Sequence, residues 1–210
     1  MLIDVHVHSR EGSTCSDLSI FDTIRILKNK GIKGMVITDH ESYKGFEEYL
    51  KKQNEIDDFL VIKGVEVMTR FGDLLVILPV DETILDLEEV IMQCIHPIEL
   101  INIVHDRGGV VGIPHMYREQ YYCIGTSIKD LELLKKIISK VDFIEVCNGR
   151  STKEQNQRAR VVAETYNKTQ VKGSDSHSAN EVGVFATEFK YNLKSECDFI
   201  YAIKNNKGNL

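Results

Sequence analysis

Five of the seven histidines in this 210-residue chain stand at the ends of short apolar runs, and acids stand beside them. His6 and His8 close Leu2-Ile3-Asp4-Val5, His40 closes Met35-Val36-Ile37-Thr38-Asp39, and Glu66 closes Val61-Ile62-Lys63-Gly64-Val65. His115 closes Val110-Val111-Gly112-Ile113-Pro114, and Asp175 and His177 follow Val171-Lys172-Gly173-Ser174. Imidazoles mixed with carboxylates suit Zn²⁺, Mn²⁺ or Fe²⁺. Any one of these histidines, taken alone, is more often a hydrogen-bonded core or loop residue. His-x-His and Thr-Asp-His are weak motifs singly, and the joint placement carries the argument. No Cys-x-x-Cys pair occurs, so the set points to a catalytic metal centre rather than a structural zinc ribbon.

For these groups to meet, the apolar runs must be strands whose ends face one side. The pattern predicts strands at 2–7, 34–38, 60–67, 74–79, 109–113, 142–147, about 170–172 and 184–189. Between them, Ser19 caps a helix with Asp22 three residues on, Ile20, Ile24 and Leu27 on one face, and Gly31 past its end. Ser151 and Glu154 form a capping box ahead of a buried face of Ala159, Val162, Ala163 and Tyr166. Further helical patterns cover 42–54, 97–106, 127–139 and 194–206. The alternation predicts an α/β fold with a mainly parallel sheet, whose strand carboxyl ends collect the ligand groups. An open doubly wound sheet fits it too; a small distorted barrel is the preferred reading. Period-two alternation points His6 and His8 the same way, as it does Asp175 and His177 if that stretch is extended.

Other reactive side chains have plainer roles. His96 precedes Pro97 at a helix start, and His105 lies at the end of the same helix, facing the negative end of its dipole. Cys147 neighbours Asn148 but has no base beside it, and is read as a small buried apolar residue. The five cysteines are odd in number and scattered, which fits reduced thiols and a cytoplasmic setting.

With 26 basic and 32 acidic residues the net charge is -6, which argues against a broad grip on nucleic acid or anionic lipid. No stretch approaches the ~20 apolar residues of a membrane span, and an acid and a histidine interrupt the amino terminus where a signal peptide needs an apolar run. No linker or repeat is evident, so one domain over 1–210 is expected.

The motifs resemble those of the PHP family, named for polymerase and histidinol phosphatase domains. Asp4-Val5-His6-Val7-His8-Ser9, Ile37-Thr38-Asp39-His40, Gly64-Val65-Glu66, Ile113-Pro114-His115-Met116-Tyr117-Arg118, Asn148-Gly149-Arg150 and Gly173-Ser174-Asp175-Ser176-His177 match in order and spacing. The resemblance implies a distorted (β/α)7 TIM-like barrel with two or three divalent metals (Mn, Zn or Fe). It assigns His6, His8, Glu66 and Asp175 to one metal, Glu66 and His115 to a second, and Asp17, His40 and His177 to a third. Many relatives carry a histidine where this chain has Asp73, so Asp73 either replaces it as a ligand or leaves that site weaker. Met116-Tyr117 replaces the usual Pro-Phe before Arg118, which alters the wall near the substrate.

The expected reaction is hydrolysis of a small phosphomonoester, a phosphorylated metabolite or nucleotide, by a metal-activated hydroxide. Arg118 and Arg150 are candidates for holding the phosphate, with a surface ion pair as the plainer reading of each. The alternatives are a PHP-type nuclease or proofreading exonuclease, a protein-tyrosine phosphatase, hydrolysis of an amide or cyclic bond, and a non-catalytic metal-binding module. A chain this short has little room for a lid, so an open site of modest selectivity is expected.

Overall fold

The computed structural model describes residues 1–119 and 122–205. Its strands are β1 (Leu2–Val7), β2 (Gly34–Ile37), β3 (Leu60–Thr69), β4 (Gly72–Ile77), β5 (Val110–Ile113), β6 (Phe143–Asn148), β7 (Thr169–Gly173) and the two-residue β8 (Thr187–Glu188). They form one sheet in the order β7-β6-β5-β4-β3-β2-β1-β8. The sheet curls until its ends nearly meet. Near one end Asp175 N donates to His6 O at 2.8 Å and His8 N to Ser176 O at 3.2 Å. At the other end β8 pairs with Leu2 and Ile3, while the Thr187 hydroxyl accepts from Lys172 N and donates to Lys172 O. A side chain thus stands in for the missing ladder between β7 and β1.

Seven strands turn apolar side chains inward. Ile3, Val5, Val36, Ile62, Leu75, Ile77, Val110, Phe143 and Val171 form one cluster, closed from below by Phe189, Leu193 and the inner face of α8 (Glu196–Asn205). Gly112 is required here, because a Cβ at that position would overlap the Phe143 ring. The outer strand faces pack against α1 (Ile20–Asn29), α2 (Lys44–Lys51), the short α3 (Glu88–Ile91), α4 (Pro97–Asp106), the short α5 (Ile124–Ser127), α6 (Leu131–Lys140) and α7 (Lys153–Thr165). No helix among the described residues is long and apolar enough to cross a membrane.

The barrel is the architecture expected, with three corrections. β4 runs antiparallel to both β3 and β5, so the sheet is less uniformly parallel than the alternation suggested; only two residues, Arg70 and Phe71, separate β3 from β4, too few for a crossover. The capping box sits one residue later, with Thr152 capping α7 and Gln155 reaching back to it. The helical stretch 42–54 is divided into α2 at 44–51 and a 3₁₀ turn at Gln53–Glu55, and 127–139 begins later, at 131–140, capped by Asp130; α3 and α5 had no pattern long enough to read. Ser19 caps α1 as expected, and Gly31 takes φ 76° past its end. α8 ends the described residues at 205, so position 206 of its expected span lies outside them.

Candidate metal centre

Backbone irregularities, more than strand periodicity, aim the donors. Between Asp4 and Val7, β1 uses three steps against two in β2, the signature of a bulge. Ile3 and Val5 therefore face the barrel interior, Val7 turns to the α1 layer, and His6 and His8 reach the mouth. A second bulge, between Glu145 and Cys147 of β6, brings Glu145 and Asn148 to the same mouth. Beyond Ile37 the β2–β3 pairing resumes at a single bridge, His40 to Glu66, with Glu66 N donating to Asp39 O at 3.1 Å. Because β4 is reversed, Asp73 enters from the amino end of its strand and still arrives at the mouth.

Glu66 is the hub. Its Oε2 lies 3.2 Å from His6 Nε2, 3.1 Å from His8 Nε2 and 3.6 Å from His40 Nδ1, while Oε1 lies 2.8 Å from His115 Nε2. Asp175 Oδ1 lies 3.6 Å from His6 Nε2 and 3.3 Å from His8 Nε2, and the two Nε2 atoms are 3.1 Å apart. Four donors bonded at about 2.0–2.1 Å in a tetrahedron stand roughly 3.3 Å apart, so this spacing suits donors around one cation. Asp73 Oδ2 lies 4.0 Å from His115 Nε2, and Asp73 Oδ1 is buried without a hydrogen-bond partner, as an oxygen meant for a cation would be. The donors form overlapping groups: His6, His8 and Glu66; His6, His115 and Asp175; Glu66, Asp73 and His115; and His8, Cys15, His40 and His177. The residues fit divalent ions.

The electrostatics of the cluster's own groups agree. Burial disfavours charge on His6, yet the Asp175, Glu145 and Glu66 carboxylates override it and hold the ring well above its usual range. His8 behaves alike: burial opposes charge, Asp175 and Glu66 outweigh it, and its pKa is pushed up to about 9. Burial would raise Glu66 and Asp175, but the positive His6 holds both well below the ordinary carboxylate range. Protonated imidazoles therefore supply the positive charge that cations would bring. Asp73 goes the other way, pushed up to about 8 by burial and then by Glu66 and Glu41. Burial and the neighbouring His8 push His177 down to about 4.

A surrounding layer fixes these side chains. Glu145 accepts from His115 N and from Asn148 Nδ2, both at 2.9 Å, and its other oxygen meets His6 Nδ1 at 3.2 Å. Asp39 accepts from Ser9 N, Ser9 Oγ and Ser13 Oγ, and Ser13 Oγ in turn accepts from His40 N at 3.0 Å. Asp4, pushed up to about 7 by burial, accepts from Ser174 N at 2.8 Å beside Asp175. His115 and Asp175 both adopt positive φ, 28° and 52°, a conformation costing of order ~1–3 kcal/mol for a residue with a Cβ. The bonds to Glu145 and His6 O offset that strain. Glu145 and Ser13 went unread in the sequence; an acid two residues into a hydrophobic strand, in Phe143-Ile144-Glu145-Val146, was the available signal for Glu145.

Ten of the eleven side chains singled out as metal or phosphate ligands meet at this mouth: His6, His8, His40, Glu66, Asp73, His115, Asp175, His177, Arg118 and Arg150. Asp17 does not. It is exposed and in none of the donor groups found among the described residues; its backbone N–H donates to His177 O at 3.0 Å, and Cys15, two residues before it, stands in the group with His8, His40 and His177. Arg118 is buried and its Nη1 donates to Asp175 Oδ2 at 2.5 Å, so it is first an ion-pair partner. Arg150 is one-third exposed, with Nη1 2.9 Å from His177 Nδ1 and Nε 3.6 Å from Glu181 Oε1. His96 caps α4 by accepting from Ile98 N, and His105 Nε2 lies 2.8 Å from Asp142 Oδ2 near the helix end. Cys147 is half-buried against the core, and all five cysteines are free.

The mouth holds a pocket of about 320 Å³ lined by His40, Glu66, Asp73, Asp175, His177 and both arginines, with Cys15, Met68 and Tyr122. Two larger grooves, about 500 and 650 Å³, lie at the opposite end around Leu193 and Lys194; neither is lined by a histidine or cysteine.

Comparison with known proteins agrees with this geometry. The chain is 29% identical over 158 residues to the uncharacterized protein MJ1587 of Methanocaldococcus jannaschii, covering 71% of this chain and 82% of that one. Its fold is similar to that of endonuclease Q, solved with a 27-mer duplex bearing an abasic lesion at the active site: TM-score 0.76, 17% identity, 97% of this chain but 57% of that one. It is also similar to a two-domain Bacteroides vulgatus protein containing a predicted PHP-like metal-dependent phosphoesterase: TM-score 0.63, 18% identity, 86% of this chain and 53% of that one. Residues 153–207 match the PHP-associated family. Residues 4–174 match the PHP domain, and with its donors gathered at the mouth of a TIM-like barrel, the chain belongs to the PHP domain family.

Proposed function

We propose that this chain is a metal-dependent phosphoesterase acting on a small phosphomonoester, such as a phosphorylated metabolite or a nucleotide. One observation carries the reading: Glu66 is shared between two donor groups, through Oε2 to His6 and His8 and through Oε1 to His115, at the floor of a pocket lined by two arginines. Divalent ions held there by His6, His8, Glu66, Asp175, His115 and Asp73, with His40 and His177 as outer donors, would polarise a phosphoryl oxygen and activate water.

The protein's own groups do the rest. Arg150, partly exposed at the rim, can offer its guanidinium fork to phosphate oxygens, whereas Arg118 is committed to Asp175 and holds that carboxylate in place. Glu145 keeps His6 Nδ1 engaged, so that Nε2 faces the cluster. Buried carboxylates and imidazoles leave little room for bulk water beneath the pocket. Its 320 Å³ suits one small ligand rather than a polymer strand.

A nuclease is the second reading, favoured by the similarity of fold to endonuclease Q and opposed by the net charge of -6. The deciding experiment measures phosphate release from a panel of phosphomonoesters and nucleotides, and cleavage of DNA oligonucleotides, with Mn²⁺ present and after chelation. Manganese-dependent release from small monoesters is expected. Cleavage of DNA alone moves the assignment to a nuclease, and silence from folded, metal-loaded protein rejects both.

A further inference from the structure

The outermost donor group differs in kind from the inner ones. His8, Cys15, His40 and His177 place one ligand atom each within 4.8 Å of one another, and Cys15 supplies the only sulfur in any donor group found among the described residues. The ring centroids of His40 and His177 lie 4.7 and 4.4 Å from that of His8, so three imidazoles converge around the thiol. His177 Nδ1 is already engaged, 2.8 Å from Asp175 O and 2.9 Å from Arg150 Nη1, which leaves Nε2 as its ligand atom. His8 Nε2 serves the inner group, so Cys15, His40 and His177 are the three donors that appear in no other group among the described residues, with His40 Nδ1 also 3.6 Å from Glu66 Oε2. Asp17, the oxygen donor anticipated there, is exposed and outside the group.

We infer that Cys15 ligates the outer ion of this centre through its thiolate, making a one-cysteine, two-histidine position that selects a thiophilic ion such as Zn²⁺ or Fe²⁺ over Mn²⁺. The inference rests on the metal-centre reading above. Imidazole and carboxylate donors accept all three ions, and thiolate shifts the balance toward the softer ones. A position with three protein ligands leaves a coordination site open, the arrangement of catalytic rather than structural zinc. Cys15 is exposed at the pocket rim, so exchange of the outer ion needs no opening of the barrel. The centre then holds two unlike kinds of position: inner ones of buried nitrogen and oxygen donors, and an outer, sulfur-bearing one.

Cobalt(II) titration of the metal-stripped full chain tests this, because cobalt reports thiolate ligation by a near-ultraviolet charge-transfer band and overall uptake by its visible d–d bands. Expected are both signals in the wild type, with the charge-transfer band lost and the d–d bands kept in Cys15→Ser. Zn²⁺ should also protect Cys15 from alkylation more than tenfold, with Mn²⁺ far less effective. d–d bands without a charge-transfer band in the wild type would overturn the cysteine assignment and leave the metal centre standing. A charge-transfer band that persists in Cys15→Ser belongs to another thiol, such as Cys123 beside His115, and overturns the proposal equally. No cobalt uptake at all removes the metal centre and the inference together.

Discussion

Glu145 Oε1 stands 3.2 Å from His6 Nδ1, on the ring edge opposite the Nε2 that faces Glu66 and His8. A carboxylate in that position sets the tautomer and the orientation of a metal-ligating imidazole. Glu145→Gln is therefore expected to weaken Zn²⁺ or Mn²⁺ binding by about 10–100-fold with the circular dichroism spectrum unchanged. Unchanged affinity by titration calorimetry would exclude the orienting role. Glu145→Ala also strands the His115 N–H and the Asn148 amide, and should cost a further ~1–3 kcal/mol of stability.

Stripping divalent ions is expected to lower the melting temperature, because Glu66, Asp73 and Asp175 then crowd together with His6, His8 and the Arg118 guanidinium in place of the cations. Ions present at a hundred times their dissociation constant stabilise by about 2.7 kcal/mol per site. Differential scanning fluorimetry with and without chelator is sufficient, and equal melting temperatures would count against the cluster.

The ion-free protein should lose stability as pH rises from about 6.5 to 9. His8 has a folded pKa of about 9 against 6.5 unfolded, so its contribution is complete below 6.5 and lost as pH climbs through 9. Asp73, at about 8 against 3.8, adds to the same slope up to pH 8. His177, depressed to about 4, contributes fully above 6.5 and leaves this window flat. Urea midpoints of stripped protein across the window should fall, and saturating Zn²⁺ should remove most of the slope; a rising midpoint would contradict the arrangement.

Asp73→Asn should act with opposite signs on stability and on ion uptake. The substitution abolishes a buried carboxylate that burial, Glu66 and Glu41 all disfavour, so at pH 9 the stripped variant should melt above the stripped wild type. The same change removes an anionic donor beside His115, so ions bound per chain should fall. A lower melting temperature together with unchanged ion content would show that Asp73 is purely structural.

Arg150→Ala is expected to reduce kcat/KM for a phosphomonoester by roughly 10–100-fold, the value of one or two hydrogen bonds to a charged group. Its partners His177 and Glu181 are partly exposed, so the fold should tolerate the loss. Steady-state kinetics that match the wild type would reduce Arg150 to a surface ion pair.

Much of this architecture is legible in the sequence. Seven strands, the α1 cap at Ser19 and seven side chains that meet at the mouth (His6, His8, His40, Glu66, His115, Asp175 and His177) could be read from apolar runs and from the histidines and acids that end them. The reason is local: strand burial demands continuous Val, Ile and Leu, and polar side chains at strand ends stand out against them. The tertiary structure alone decided the rest. Reversal of β4 follows from a two-residue connection whose outcome depends on pairing, and the bulges in β1 and β6 depend on register against neighbouring strands. Those bulges are what bring His6, His8 and Glu145 to the mouth. That Cys15 rather than Asp17, two residues on in the same irregular loop, lies within reach of His8, His40 and His177 is likewise invisible to composition or periodicity, because only the path of that loop decides which side chain comes near the three imidazoles.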